Sequence, residues 1–283
     1  MKSKNQVKWF EYQRMLIPDT SPDINISFDN FNINKALTET KALMIRWTSS
    51  FDTEKNSFFW YVICDSYHGK KFFKKSTRSE INRGEKNTII KIVNNEWLKK
   101  NGYKIYIKAN KMYGQSANYV GINDYYKNLD RIINDNRWDI WGIESKKENL
   151  PIGYALIKKY NHSIDLSVFK IDPDYLRLRA SYSLIYNILE NYILKLNFKF
   201  INAGSRSIYH ETNFQNFLIS KFHFRKAFCK LNIIYSKRFY IIIKFLIFLS
   251  YIGIFNLLKI NPKIRALIIQ DSLANEKDPK ISF

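Results

Sequence analysis

The spacing of hydrophobic positions changes several times along the chain, and each change marks an element. Residues 42–47 and 58–64 are short apolar runs of strand length, the second reading FFWYVIC, and SSFDTEKNS between them reads as a turn. Residues 88–93 alternate as a strand does. Helical spacing follows over 95–112, where Gly102 is expected to break the helix, and over 123–134. Three further runs, 138–144, 152–160 and 163–171, are joined by the turns KKENLP and NHS and predict an antiparallel meander. Residues 181–196 predict a strong helix, with Leu184, Ile185, Ile188, Leu189, Tyr192 and Ile193 on one stripe. Residues 1–38 are polar, with Pro18 and Pro22, and predict surface loop.

The densest stretch is 201–235, INAGSRSIYHETNFQNFLISKFHFRKAFCKLNIIY. A buried strand ends at Ala203-Gly204, and a loop then carries Ser205, Arg206, Ser207, Tyr209, His210 and Glu211. Thr212 and Gln215 have the spacing of a capping box, which predicts a helix starting there with Phe214, Phe217, Leu218 and Phe222 on one face. Residues 227–235 then read as a central strand. Thr77 and Glu80 form a second capping box, opening a short basic helix that Gly84 and Asn87 weaken. Strands, helix, strand, helix, strand make an α+β pattern with a mixed sheet.

Residues 239–258 are almost wholly apolar, and twenty residues are just long enough to span a bilayer. Lys244 lies well inside this run and would cost about 2.5–3.5 kcal/mol at mid-membrane. Tyr240, Lys244 and Tyr251, with Lys237 ahead of them, form a weak polar stripe at helical spacing. The stripe and flanking lysines favour a helix lying in the membrane interface or packed on the protein. Asn261-Pro262 then opens a last helix.

Composition changes this picture in two ways. Lys+Arg outnumber Asp+Glu by 46 to 25, a formal charge of +21, which suits tRNA, anionic lipid or a phosphorylated substrate. Because the basic residues are spread out, much of that excess also reads as a coding bias shared with Asn, Ile, Phe and Tyr. Cys64 and Cys229 are too sparse for a disulfide framework, and neither they nor the four histidines have metal-ligand spacing, so no metal is expected. The first fifteen residues have no apolar core and do not read as a secretion signal, which places the chain by default in the cytoplasm. No G-x-S-x-G elbow surrounds Ser205 or Ser207, which argues against a serine hydrolase.

The strand-helix-strand over 201–235, with Phe222-His223-Phe224-Arg225 at the helix exit, resembles the acetyltransferase fold. That fold is shared by GCN5-related N-acetyltransferases and Fem-type peptidyltransferases, and the likeness runs from about residue 77 to 235. More narrowly, it resembles acetyltransferase-like proteins encoded among capsule and surface-polysaccharide genes. The resemblance implies a splayed mixed sheet flanked by helices, with an acetyltransferase-like core at 94–236. Residues 1–93 would be an elaboration or a reduced first half, and 237–283 an apolar helical tail. It implies an intracellular acyl- or aminoacyl-transferase acting on a sugar or lipid-linked precursor of a surface glycan, peripheral to the inner face of the membrane. The alternative is a non-catalytic scaffold that keeps the fold for partners at the membrane.

In this family the turn before the helix at 181–196 reads Gln/Arg-x-x-Gly-x-Gly/Ala and holds the donor's phosphates. The matching residues here are Arg177, Leu178, Arg179, Ala180, Ser181 and Tyr182. The Arg matches, but Ala180 and Tyr182 fill the glycine positions and obstruct close backbone approach by a pyrophosphate. Acyl-CoA is thus one donor candidate and aminoacyl-tRNA another, with Arg177, Arg179, Ala180 and Ser181 as donor-binding residues. Gly204, Ser205, Arg206 and Ser207 would bind substrate. His210 or Tyr209 would move a proton, and Glu144, at a strand end, is the carboxylate that could act as base. His210 and Glu211 read equally well as caps of the helix that follows.

Overall fold

The structure is a computed structural model that describes residues 7–29, 31–53, 57–111, 120–208, 213–251 and 261–276. In chain order its elements are β1 (Trp9–Tyr12), β2 (Met15–Pro18), α1 (Ile33–Thr40), β3 (Met44–Ser49), β4 (Phe59–Cys64) and α2 (Lys75–Asn87). β5 (Thr88–Val93), α3 (Asn95–Lys111), α4 (Ile122–Ile133), β6 (Trp138–Ser145), β7 (Leu150–Lys159) and β8 (Ser163–Ile171) follow. The chain continues through α5 (Ala180–Leu189), β9 (Phe200–Ser205), α6 (Asn213–Phe222), β10 (Arg225–Tyr235), α7 (Lys237–Tyr251) and α8 (Pro262–Ala274). The α+β class with a mixed sheet flanked by helices is the one expected.

These elements divide into two compact units. The first comprises Met1–Tyr61, Ser205–Asn213 and Lys226–Phe283; the second comprises Val62–Gly204 and Phe214–Arg225.

In the first unit the strand order is β1-β2-β3-β10. β1 and β2 are antiparallel, β2 and β3 parallel, and β3 and β10 antiparallel. Residues 1–38 are thus not all loop. Gln13 and Arg14 both adopt positive φ, 50° and 62°, the geometry of a two-residue hairpin turn, and that turn pairs Trp9–Tyr12 with Met15–Pro18. The hairpin supplies Leu16 to a cluster with Leu37, Ala42 and Ile45, over which Trp9 and Phe28 pack. A second cluster joins Phe59, Cys229 and Leu231 to Ala266, Ile269 and Leu273 of α8.

In the second unit the order is β9-β8-β7-β6-β5. β6, β7 and β8 form the expected antiparallel meander. α3 packs over one face, where Leu98 and Ile105 meet Ile140, Tyr154 and Leu156. It passes unbroken through Gly102, whose missing side chain makes room for Tyr125: a Cβ there would stand 2.3 Å from the tyrosine oxygen. On the other face Trp141 donates to the hydroxyl of Tyr192 (3.1 Å), which donates to Asp139 (2.6 Å). α5 runs on into a π-helical turn, Glu190–Lys195, completing the helix expected over 181–196.

α2 starts before the Thr77 capping box, at Lys75, and buries Thr77. Arg78 stabilises this earlier start by donating to the carbonyls of Phe73 and Lys71. Both cysteines are buried and free, and burial pushes each thiol up to about 12.

Candidate functional site

The feature of the second unit that most resembles a site is the junction of β8 and β9. They pair in parallel through Ser163–Phe200, Ile164–Ile201 and Asp165–Asn202, and there the pairing ends. β8 nevertheless runs on to Ile171 and β9 to Ser205. Two local features part them. On β8 the register against β7 shifts between Leu156–Val168 and Ile157–Leu166, so Ser167 is an extra, bulged residue that bends the strand. On β9, Asn202 donates to Asp165 (2.8 Å) and its side-chain oxygen accepts from the Gly204 amide (3.0 Å). Gly204 has φ +92°, a conformation L side chains rarely adopt, so this residue can turn where others would be strained. Asn202, only 4% exposed, is thus a buried polar group with both ends satisfied. Past Asp165 and Asn202 the two strands share no further ladder pairs.

The 3-10 turn Pro173–Leu178 and then α5 follow β8. Arg179, the residue before α5, is left-handed (φ 62°), and no side chain caps the helix start. By helix geometry the first-turn amides, including those of Ala180 and Ser181, lack intrahelical partners. Arg177 is exposed, whereas the Arg179 guanidinium forms an ion pair with Glu80 of α2. Tyr182 packs edge-on against Phe217 of α6, ring centroids 5.0 Å apart. Phe214 of the same helix packs on Phe169 of β8, at 4.7 Å. The side chains at the two glycine positions of the phosphate-binding pattern are thus built into the fold. One of its two arginines is already paired, so the start of α5 fits a diphosphate poorly.

The remaining candidates are dispersed. Glu144, on β6, accepts from Lys91 (2.9 Å) and from the Trp97 indole (3.1 Å). Ser205, Arg206 and Ser207 fall in the first unit. There Arg206 donates to the Phe58 carbonyl (2.5 Å) and lies over the Trp60 ring, 4.6 Å from its centroid. Lys226 stands 4.0 Å from the same centroid. Tyr209, His210 and Glu211 lie outside the described residues.

One residue of chemical interest was not singled out in sequence. Lys170 lies on the part of β8 beyond its pairing with β9. Its ammonium donates to Asn110 of α3 (2.7 Å) and sits 5.7 Å from the Tyr106 ring centroid. Burial lowers its pKa. In sequence it is one strand lysine among many, and nothing in its spacing sets it apart. Asn202 did leave a signal, as a lone amide in the apolar run FKFINA.

No protein-family model matches this chain, and no curated protein matches it. Solved structures do resemble it. FemX is 9% identical over 77% of this chain and 81% of that chain, with a TM-score of 0.49. L-PGS from Bacillus licheniformis is 12% identical over 82% and 80%, with a TM-score of 0.44. A C-terminal DUF2156 domain from Agrobacterium fabrum, assigned to a lysylphosphatidylglycerol synthetase, is 10% identical with a TM-score of 0.45. That match covers 70% of this chain and 66% of the other. At these identities the likeness is one of fold.

Proposed function

We propose that the second unit is the catalytic part of an acyl- or aminoacyl-transferase acting on a sugar or lipid-linked precursor of a cell-surface glycan. The observation that carries this reading is the parting of β8 from β9 after Asp165 and Asn202, with the uncapped helix α5 following β8 by way of one 3-10 turn. An extended, amide-bearing donor arm can pair with a parted strand edge as an added strand does. Its carbonyl then lies against fixed backbone N–H groups, which stabilise the oxyanion that forms on attack. Such direct transfer needs no covalent enzyme intermediate; it needs the two reactants held in line.

The poor fit of the α5 start to a diphosphate favours an aminoacyl ester of tRNA over a coenzyme A thioester as donor. The +21 charge suits a polyanion of that kind. In this reading the acceptor's amine or hydroxyl attacks the ester carbonyl and passes its proton to a neighbouring base. The tetrahedral adduct then breaks the ester C–O bond, and the tRNA ribose oxygen leaves as a hydroxyl by taking that proton back from the base. Lys170, whose burial favours the neutral amine, is the base we assign. The second reading, a non-catalytic scaffold, is favoured by the engagement of Arg179 with Glu80 and of Tyr182 with Phe217.

The two are separated by a thermal-shift titration of the full chain with acetyl-CoA, bulk aminoacyl-tRNA and uncharged tRNA, since a ligand of the folded state raises its midpoint. A larger rise with charged than with uncharged tRNA, accompanied by ester discharge when a lipid-linked saccharide is added, supports transfer. If no donor shifts the midpoint or is discharged, the scaffold reading stands.

A further inference from the structure

α7 is an apolar helix fastened along one side only. Phe239 and Ile243 point into the first unit, where Phe239 packs with Met15, Met44 and Leu267. One turn apart on the opposite side, Ile241, Phe245 and Phe248 are 71%, 60% and 58% exposed. At 100° per residue these three fall within a 60° arc. Exposed cations flank the arc: Lys237 and Arg238 in the first turn, and Lys244 farther along. The Lys244 ammonium lies 5.4 Å from the centroid of exposed Tyr240, so an aromatic ring and a charge sit together at the edge of the stripe. The helix, KRFYIIIKFLIFLSY, contains no Asp or Glu. Among the described residues no helix is long and apolar enough to cross a membrane.

We infer that α7 docks the protein on an anionic lipid surface, with Ile241, Phe245 and Phe248 in the acyl boundary and Lys237, Arg238 and Lys244 among the headgroups. An exposed large apolar stripe is costly in water unless something covers it. A helix lying in the interface covers such a stripe while its basic edges stay hydrated and meet anionic phosphates. Charge chooses the occupant. A second copy of this chain, docked through the same face by two-fold symmetry, would bring the cations of one α7 against those of the other with no carboxylate on either helix to offset them. An anionic membrane supplies the missing charge. The inference rests on α7 alone and is independent of the transfer reaction.

Co-sedimentation of the full chain with phosphatidylglycerol/phosphatidylcholine vesicles, and with phosphatidylcholine vesicles alone, tests it. Binding is expected to the anionic vesicles and to weaken at least tenfold at high salt. Replacing Ile241, Phe245 and Phe248 together by Ser should abolish it, and these side chains lie outside the core. Lys244→Ala should weaken binding about fivefold, the ratio equivalent to about 1 kcal/mol per cation at an anionic surface. Should the triple variant misfold by circular dichroism, Lys244→Glu serves instead, with a larger loss expected. Equal binding to neutral vesicles, or no binding at all, overturns the inference. A wild-type dimer in light scattering that the triple variant converts to monomer also overturns it, making a second copy the occupant.

Discussion

The α-carbon of Gly84 lies so close to Arg179 that a Cβ there would stand 2.6 Å from the arginine's carbonyl oxygen. The same Cβ would be 2.8 Å from Cβ and Oγ of Ser183. α2 and α5 therefore meet nearly backbone to backbone, and the contact is completed by polar groups. The Thr88 hydroxyl donates to the Gly84 carbonyl (2.8 Å) and lies 3.1 Å from the Ser183 hydroxyl. Glu80, one turn before Gly84, reaches the Arg179 side chain. The start of α5 is thus held from one side by α2, and from another by the aromatic contact of Tyr182 with Phe217.

Gly84→Ala separates propensity from packing. Alanine in a helix interior is favoured over glycine by about 1 kcal/mol, but overpacking a close contact costs about 1–3 kcal/mol. The nearest obstacle is a backbone carbonyl, which cannot swing aside as a long side chain would. Because the obstacle is backbone, the upper part of that cost applies, and about 2–3 kcal/mol less the gain of about 1 leaves an expected net loss of about 1–2 kcal/mol in urea unfolding. A variant as stable as the wild type would show that α2 can slide off α5 at no cost.

Tyr192→Phe tests the buried chain of hydrogen bonds behind β6. Without the hydroxyl, the Trp141 indole loses its acceptor and Asp139 loses a donor, keeping Lys159 at 2.7 Å. An unsatisfied buried donor costs about 1–3 kcal/mol, which in a protein of this size lowers Tm by roughly 2–4 °C per kcal/mol. A midpoint unchanged within error would mean that the chain contributes nothing net.

Much of the fold was legible because periodicity alone carries it. The meander over β6, β7 and β8 and the helix stripe from Leu184 to Tyr192 are strong period-2 and period-3.6 signals bounded by turns. What was not legible depended on distant partners. Gly102 and Gly84 look like helix breakers until Tyr125 and Arg179 are seen filling the space a side chain would take. The β1–β2 hairpin was hidden because neither Gln13 nor Arg14 is a residue that advertises positive φ. The site was legible in part. Gly204 stood out as a turn, whereas the bulge at Ser167 is a matter of register between strands and leaves no mark on the sequence.

Arg206→Ala is expected to act on stability. In sequence Arg206 read as a substrate-binding residue; in the fold its guanidinium holds the Phe58 carbonyl and covers Trp60. A charged hydrogen bond of this kind is worth about 1.5–3 kcal/mol. Urea unfolding should show a loss in that range, with acceptor-substrate affinity unchanged in the same variant once it is folded. A stable variant that binds the acceptor substrate at least tenfold more weakly would return Arg206 to the site.

Lys170 offers the sharpest test, because its environment predicts both a stability profile and an activity profile. Burial disfavours the charged ammonium, so the folded chain holds this proton less tightly than the unfolded chain, whose value is near 10.5. Between the lowered folded value and 10.5 the unfolded state binds more protons, and stability must rise with pH across that window. The contribution is fully present above 10.5 and lost as pH falls through the folded value. Below the folded value the lysine is charged in both states and the burial penalty stands in full. Lys170→Met removes the titration, so the stability difference should move in favour of the wild type as pH is raised through the folded value toward 10.5. Lost hydrogen bonding to Asn110 shifts that difference by a constant and leaves its slope alone. If Lys170 is also the base, Lys170→Met should lower turnover by roughly 10²–10⁴. Lys170→Arg should not restore it, since a guanidinium stays charged throughout this range. A flat difference profile would remove the pKa argument, and a Lys170→Arg variant with full turnover would move the proton transfer to another residue.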